Sequence, residues 1–153
     1  MVFKNLSITK AGKHGIAAYA KSAVAVRDVD ITASARDGIH VRVSVLSATR
    51  LHSTYNRNNG VQLSEGATGT ISDSQISFNG QAVTGSTTGK TGHGLGVANS
   101  WATVLNSDLS NNKVCGISTT GPGGLTVRNS TLNRNGRHGL GTTAGGVISF
   151  TDT

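Results

Sequence analysis

The stretch DLSNNKVCGI (Asp108–Ile117) is followed 23 residues later by TLNRNGRHGL (Thr131–Leu140). The two share a Leu, an Asn and a Gly-aliphatic pair at equivalent places. Followed outward, that pair recurs as Gly15-Ile16, Gly38-Ile39, Gly60-Val61, Gly94-Leu95, Gly116-Ile117 and Gly139-Leu140, at spacings of 23, 22, 34, 22 and 23 residues. The long spacing equals the period of 22 or 23 plus an insertion of 12 or 11 residues in the Gly/Thr-rich run Gly80–His93, which reads as a loop over about 81–92. A fixed period of this size marks a repeat architecture.

Other columns fall into register on these glycines. Twelve residues before each stand Phe3, Val26, Ala48, Ile71, Val104 and Val127, counting across the insertion; seven before stand Ile8, Ile31, Ser53, Ile76, Leu109 and Leu132. Three after stand Ala18, Val41, Leu63, Val97, Thr119 and Thr142. Two columns favour Asn, Asp and Ser: ten before (Asn5, Asp28, Arg50, Asp73, Asn106, Asn129) and four before (Ala11, Ser34, Asn56, Asn79, Asn112, Asn135).

Aliphatics two apart after each Gly are the alternation of a half-buried strand. The runs are too short for a helix of 10–12 residues. A 22-residue unit of about three short strands buries its aliphatics only by winding round and stacking on the next unit, at about 4.8 Å per coil. Stacked Asn can bond the neighbouring coil, and Asn tolerates the left-handed backbone of a tight corner. Leucine-rich repeats share the period but need a Leu-x-x-Leu-x-Leu frame, which is missing. The fold expected is all-β: a parallel β-helix of about six coils, roughly 29 Å long, in one domain over residues 1–153.

The segments NSTLNRNGRHGL (129–140) and DLSNNKVCGI (108–117) resemble the right-handed parallel β-helix repeats of the pectate-lyase-like superfamily. They look most like coils of the mannuronan C5-epimerase and NosD-like carbohydrate-binding branches. The resemblance implies the fold and a carbohydrate-binding or polyuronide-active protein, such as a lyase or C5-epimerase, whose partner is an acidic polysaccharide. In the epimerase pattern a Tyr before the Gly, and an Asp and a His two and four after it, share a strand. Asp37-Gly38-Ile39-His40-Val41-Arg42 fills those polar positions with other residue types, so that Asp37, His40 and Arg42 take the Tyr, Asp and His places.

Composition narrows the rest. The formal charge is +7 and the pI near 10.2, with only 14% charged residues, which favours an anionic partner. The basic residues stand singly and rings make up 4%, so stacking platforms for specific nucleic-acid binding are missing. A single Cys115 excludes an intramolecular disulfide. No apolar run is long enough for a membrane-spanning helix. The N-terminus lacks a signal-peptide core, which leaves a cytoplasmic location, or a secreted or cell-surface one if a signal has been removed. Val2 and Phe3 follow Met1 without a capping helix, and Val147–Phe150 lies close to the end. Solenoids normally cover such coils, so the alternative expectation is a structural β-helix that self-associates through its ends, or a piece of a longer one.

Candidate chemistry gathers on the first three coils. The column before the Gly reads His14, Asp37, Asn59, His93, Cys115 and His138; two after it reads Ala17, His40, Gln62, Gly96, Ser118 and Gly141. Removing the C5 proton of a uronate needs its carboxylate neutralised, then a base and an acid. Arg42 or Arg36 suits the first task. His40 suits the second, imidazole being the side chain that exchanges protons under neutral conditions, and Tyr19 or Tyr55 the third, with Asp37 beside them. His14, Asn59, Gln62, Lys90 and His93 complete the expected ligand-binding set. No cofactor and no metal are assigned. Histidines two coils apart stand roughly 10 Å from each other, His14, Asp37 and Asn59 make at most a weak ion site, and calcium wants more carboxylates. Gly85–Thr91 mimics a phosphate loop but has three residues between its glycines and no following helix.

Overall fold

A computed structural model of the chain describes residues 1–81, 91–143 and 146–151, without the side chain of Thr151. Lys90 and most of the expected insertion therefore lie outside the described residues. The described residues form a right-handed parallel β-solenoid of about six turns with no helix.

Two long parallel sheets run up it. The larger takes β1 (Val2–Thr9), β3 (Ala23–Thr32), β5 (Val45–Thr54), β7 (Thr68–Ser72), β10 (Trp101–Leu105), β12 (Gly123–Arg128) and β14 (Gly146–Thr151) in order, with β8 (Gln75–Ser77) also pairing with β5. The smaller runs β2 (Ile16–Ala18), β4 (Ile39–Arg42), β6 (Val61–Ser64), β9 (Leu95–Ala98), β11 (Cys115–Thr120) and β13 (His138–Thr143). Its register stacks Ile16, Ile39, Val61, Leu95, Ile117 and Leu140, the column expected one residue after each Gly. In the larger sheet Phe3, Val26, Ala48, Ile71, Val104 and Val127 stack likewise, and Phe150 of β14 continues the ladder. The aliphatics between the sheets form one core, with Ile31, Ile39, Leu63, Ile76 and Leu109 fully buried.

The period glycines have a steric cause. A Cβ on Gly15, Gly38, Gly60, Gly94 or Gly116 would stand 2.6–2.9 Å from the carbonyl oxygen of the next period glycine. Neighbouring coils approach too closely there for any side chain.

The two Asn-rich columns turn out to do different work. Asn5, Asp28, Arg50, Asp73, Asn106 and Asn129 all have φ between 46° and 54°, the left-handed corner that Asn tolerates. The column four before the Gly is instead a buried hydrogen-bond ladder: the N–H groups of Ser34, Asn56, Asn79 and Asn112 donate to the side-chain oxygens of Asn56, Asn79, Asn112 and Asn135. Backbone that leaves a sheet at a corner must find partners elsewhere, and each Asn supplies them for the coil before it.

Candidate functional site

The smaller sheet begins at a corner where the residue before the Gly and the residue three further on come together. In the second coil Asp37 Oδ2 lies 3.0 Å from His40 Nδ1, hydrogen-bonded; in the third, Asn59 Nδ2 donates to Gln62 Oε1 at 2.8 Å. The same column links successive coils. Asp37 Oδ1 accepts the Asn59 N–H at 3.0 Å, and Asn59 Oδ1 accepts those of Gly92 and His93 at 3.0 and 2.9 Å. Asp37 is thus buried and anchored from below, and its second oxygen faces the coil before.

His14 closes the cluster from that coil. Its Nδ1 stands 3.1 Å from Asp37 Oδ2 and its ring centroid 4.7 Å from that of His40. The distance suits an ion pair, yet the angle does not make a hydrogen bond, so the buried Nδ1 has no hydrogen-bond partner among the described residues. Burial pushes the His14 pKa below its ordinary value, outweighing the pull of Asp37, and the charges of His40 and Arg36 push the same way. His14 is therefore held towards its neutral form.

The rim is more exposed. The Tyr19 ring lies 5.9 Å from His40. Arg42 Nη2 pairs with Glu65 Oε2 at 2.6 Å, both side chains about half exposed. That hydrogen bond, helped by the pair's charges, holds Glu65 below the usual carboxylate range and raises Arg42. Arg36 is exposed beside His14.

The structure thus brings together His14, Tyr19, Asp37 and His40, with Arg36, Arg42, Asn59 and Gln62 around them. Tyr55 stands apart at the corner after β5, in the left-handed conformation and stacked on Phe78 with centroids 5.2 Å apart. His93 is buried in the column below Asn59. The weak ion set weighed from sequence, His14, Asp37 and Asn59, is not what the structure assembles: Asn59 Oδ1 accepts the Gly92 and His93 N–H groups, and His40 takes the third place.

Two features were not anticipated from sequence. Glu65, the protein's one Glu, belongs to the rim because consecutive coils place it against Arg42. The second is a hollow of about 480 Å³ lined by Gln62, His93, Gly96, Val97, Ala98, Ser118, Thr120 and Thr143. A further hollow of about 350 Å³ continues along His138, Gly141 and Arg137. The signal was in the outward column itself, where His40 and Gln62 give way to Gly96, Ser118 and Gly141: small residues leave depth. Gln62 pairs in register with His40, so the hollow adjoins the polar cluster.

The family described as right handed beta helix region matches residues 1–153. Among solved structures, a pectate lyase, Pel9A, is similar at 14% identity with a TM-score of 0.53. The match covers 97% of this chain and 52% of that one, so the chain spans about half of its neighbour's length. At that identity the likeness concerns the fold. No curated protein matches the sequence.

Proposed function

This chain belongs to the right-handed β-helix family, and from that membership and the site's geometry we propose that it binds an acidic polysaccharide along the outward face of the smaller sheet, with His40 as its proton-transfer group. The observation that carries the reading is the Asp37–His40 hydrogen bond, one coil from the Gln62 that lines the hollow. With Nδ1 donating to a buried carboxylate, Nε2 is left as the accepting atom of a ring held in one orientation. Asp37, buried and hydrogen-bonded through both oxygens, acts as a positioning residue rather than touching substrate.

The formal charge of +7 and the likeness to a pectate lyase support a uronate-containing chain. Exposed Arg36 meets its carboxylate; Arg42, engaged by Glu65, borders the same face. His40 Nε2 takes the C5 proton. Tyr19 then returns a proton, either to C5 from the opposite side, inverting that centre, or to the glycosidic oxygen as the C4–O bond breaks and a C4=C5 double bond forms.

The test is incubation with alginate, polygalacturonate and hyaluronan, followed by proton NMR, which reports both unsaturated ends and inverted C5 centres. New signals reduced about 10²–10⁴-fold by His40→Ala, with binding retained, support the reading. Unchanged spectra with saturable binding remove the catalytic half. No binding to any of the three removes the whole.

A second reading, self-association through the end coils, is favoured by the exposure of Val2, Val147 and Phe150, at 61, 76 and 60%. Light scattering decides it: a mass of two or more chains that falls to one in Val147→Lys/Phe150→Lys supports association, and a monomer at all concentrations refutes it.

A further inference from the structure

We infer that His14, Asp37 and His40 form a site for a divalent transition-metal ion of the zinc type. One ligand atom from each lies within 4.8 Å of those of the other two. Both Nδ1 atoms converge on a single carboxylate oxygen, Asp37 Oδ2, at 3.1 and 3.0 Å. A tetrahedral ion bound at about 2.0–2.1 Å holds its ligands roughly 3.3–3.4 Å apart; the two Nδ1–Oδ2 distances open to that by a few tenths of an ångström, while the two imidazole donors, within 4.8 Å of each other, turn about their side-chain bonds to complete it.

The independent observation is the orphaned His14 Nδ1. Its side chain is only 10% exposed, the atom has no hydrogen-bond partner among the described residues, and it faces a carboxylate oxygen off the line a hydrogen bond needs. With the ring proton on Nε2, the Nδ1 lone pair repels the carboxylate oxygen beside it; a cation between them makes both attractive. Two imidazoles and one carboxylate are also the donor set that zinc-type ions favour over calcium or magnesium. The support such ligands need is present, since the Asn59 N–H fixes the other Asp37 oxygen at 3.0 Å. His40, with its side chain 21% exposed, gives the solvent side and leaves room for a water as fourth ligand. Of the charged groups around it, Glu65 favours a cation, while Arg36 and Arg42 oppose it from exposed positions where solvent screens them.

This site does not rest on the polysaccharide reading. Where both hold, they compete: an ion on His40 Nδ1 leaves the ring proton on Nε2, so the loaded ring cannot accept a proton.

The test is calorimetric titration of the untagged protein with Zn²⁺, beside His14→Ala, Asp37→Asn, His40→Gln and, as control, His52→Ala. Asp37→Asn keeps an acceptor for the Asn59 N–H, and circular dichroism establishes that each variant is folded. One equivalent bound, weakened at least about tenfold in the three cluster variants and unchanged in His52→Ala, supports the site. Co²⁺ should then give the visible absorption of a four-coordinate nitrogen/oxygen site, absent from Asp37→Asn. No saturable binding, or binding that survives Asp37→Asn and His40→Gln, overturns it. Either result leaves the alginate, polygalacturonate and hyaluronan assays to be decided on metal-free protein.

Discussion

Replacing Asn79 by Ala should be a costly polar substitution in the buried ladder. Asn79 is fully buried. Its Oδ1 accepts the Asn56 N–H at 3.1 Å and Asn56 Nδ2 at 3.0 Å, while its Nδ2 donates to the Ser53 carbonyl and to Asn112 Oδ1, both at 3.0 Å. After truncation Asn56 Nδ2 keeps Ser53 Oγ, and Asn112 Oδ1 keeps the Asn79 N–H. The Asn56 N–H keeps nothing in its place. One orphaned buried donor costs about 1–3 kcal/mol, and the weakened remainder adds to it, giving about 3 kcal/mol in all. For a chain of this size that lowers Tm by roughly 6–12 °C and the urea midpoint by about 1.5 M, read by far-ultraviolet circular dichroism. Asn135→Ala is the internal comparison. It removes an equivalent acceptor for Asn112 at the half-buried end of the ladder, where water can replace it, and should cost about 1 kcal/mol. Equal losses in the two variants, or less than about 1 kcal/mol for Asn79→Ala, would refute the claim that burial is what gives the ladder its strength.

Gly38→Ala should cost about 2 kcal/mol or more, because its Cβ would meet Ser53 Oγ, stand 2.6 Å from the Gly60 carbonyl oxygen and 2.8 Å from Asn56 Nδ2. Gly12→Ala, with nothing within 4 Å, should be neutral or slightly stabilising in the same melts. At the exposed Asp28–Arg50 pair, with Nε–Oδ1 and Nη2–Oδ2 at 2.5 and 2.9 Å, the hydrogen bond holds Asp28 below the ordinary carboxylate pKa. Its contribution is therefore present above that ordinary value and lost as pH falls through the depressed one. A carboxyl NMR titration should show Asp28 returning upward in Arg50→Ala, and an unmoved titration would remove the pair as the cause.

Within the polar cluster, sequence columns identified the members but not their meeting. His14 and His40 belong to different columns, one before the Gly and one two after it, and a column-by-column reading keeps them apart. The corner geometry that joins position i to i+3 within a coil, together with the stacking of Asp37 beneath His14, is what brings them to a 4.7 Å ring separation. Tyr55 shows the reverse: close to the site residues along the chain, it is turned onto Phe78 by a left-handed corner that its residue type does not announce.

By itself the sequence determined the coil. The period of the Gly-aliphatic pairs, the alternation that follows them and the Asn columns admit one way to bury so thin an aliphatic core, because register between identical units is dictated by which side chains must face inward. Only the tertiary structure decided why the period residue must be glycine, which Asn column turns the chain and which one bonds its neighbour, and that two imidazoles share one buried carboxylate oxygen. Those outcomes depend on distances between coils 22 or 23 residues apart, a few tenths of an ångström deciding between contact and clash. A one-dimensional pattern carries residue types and spacing, but not the angle at which a corner presents them.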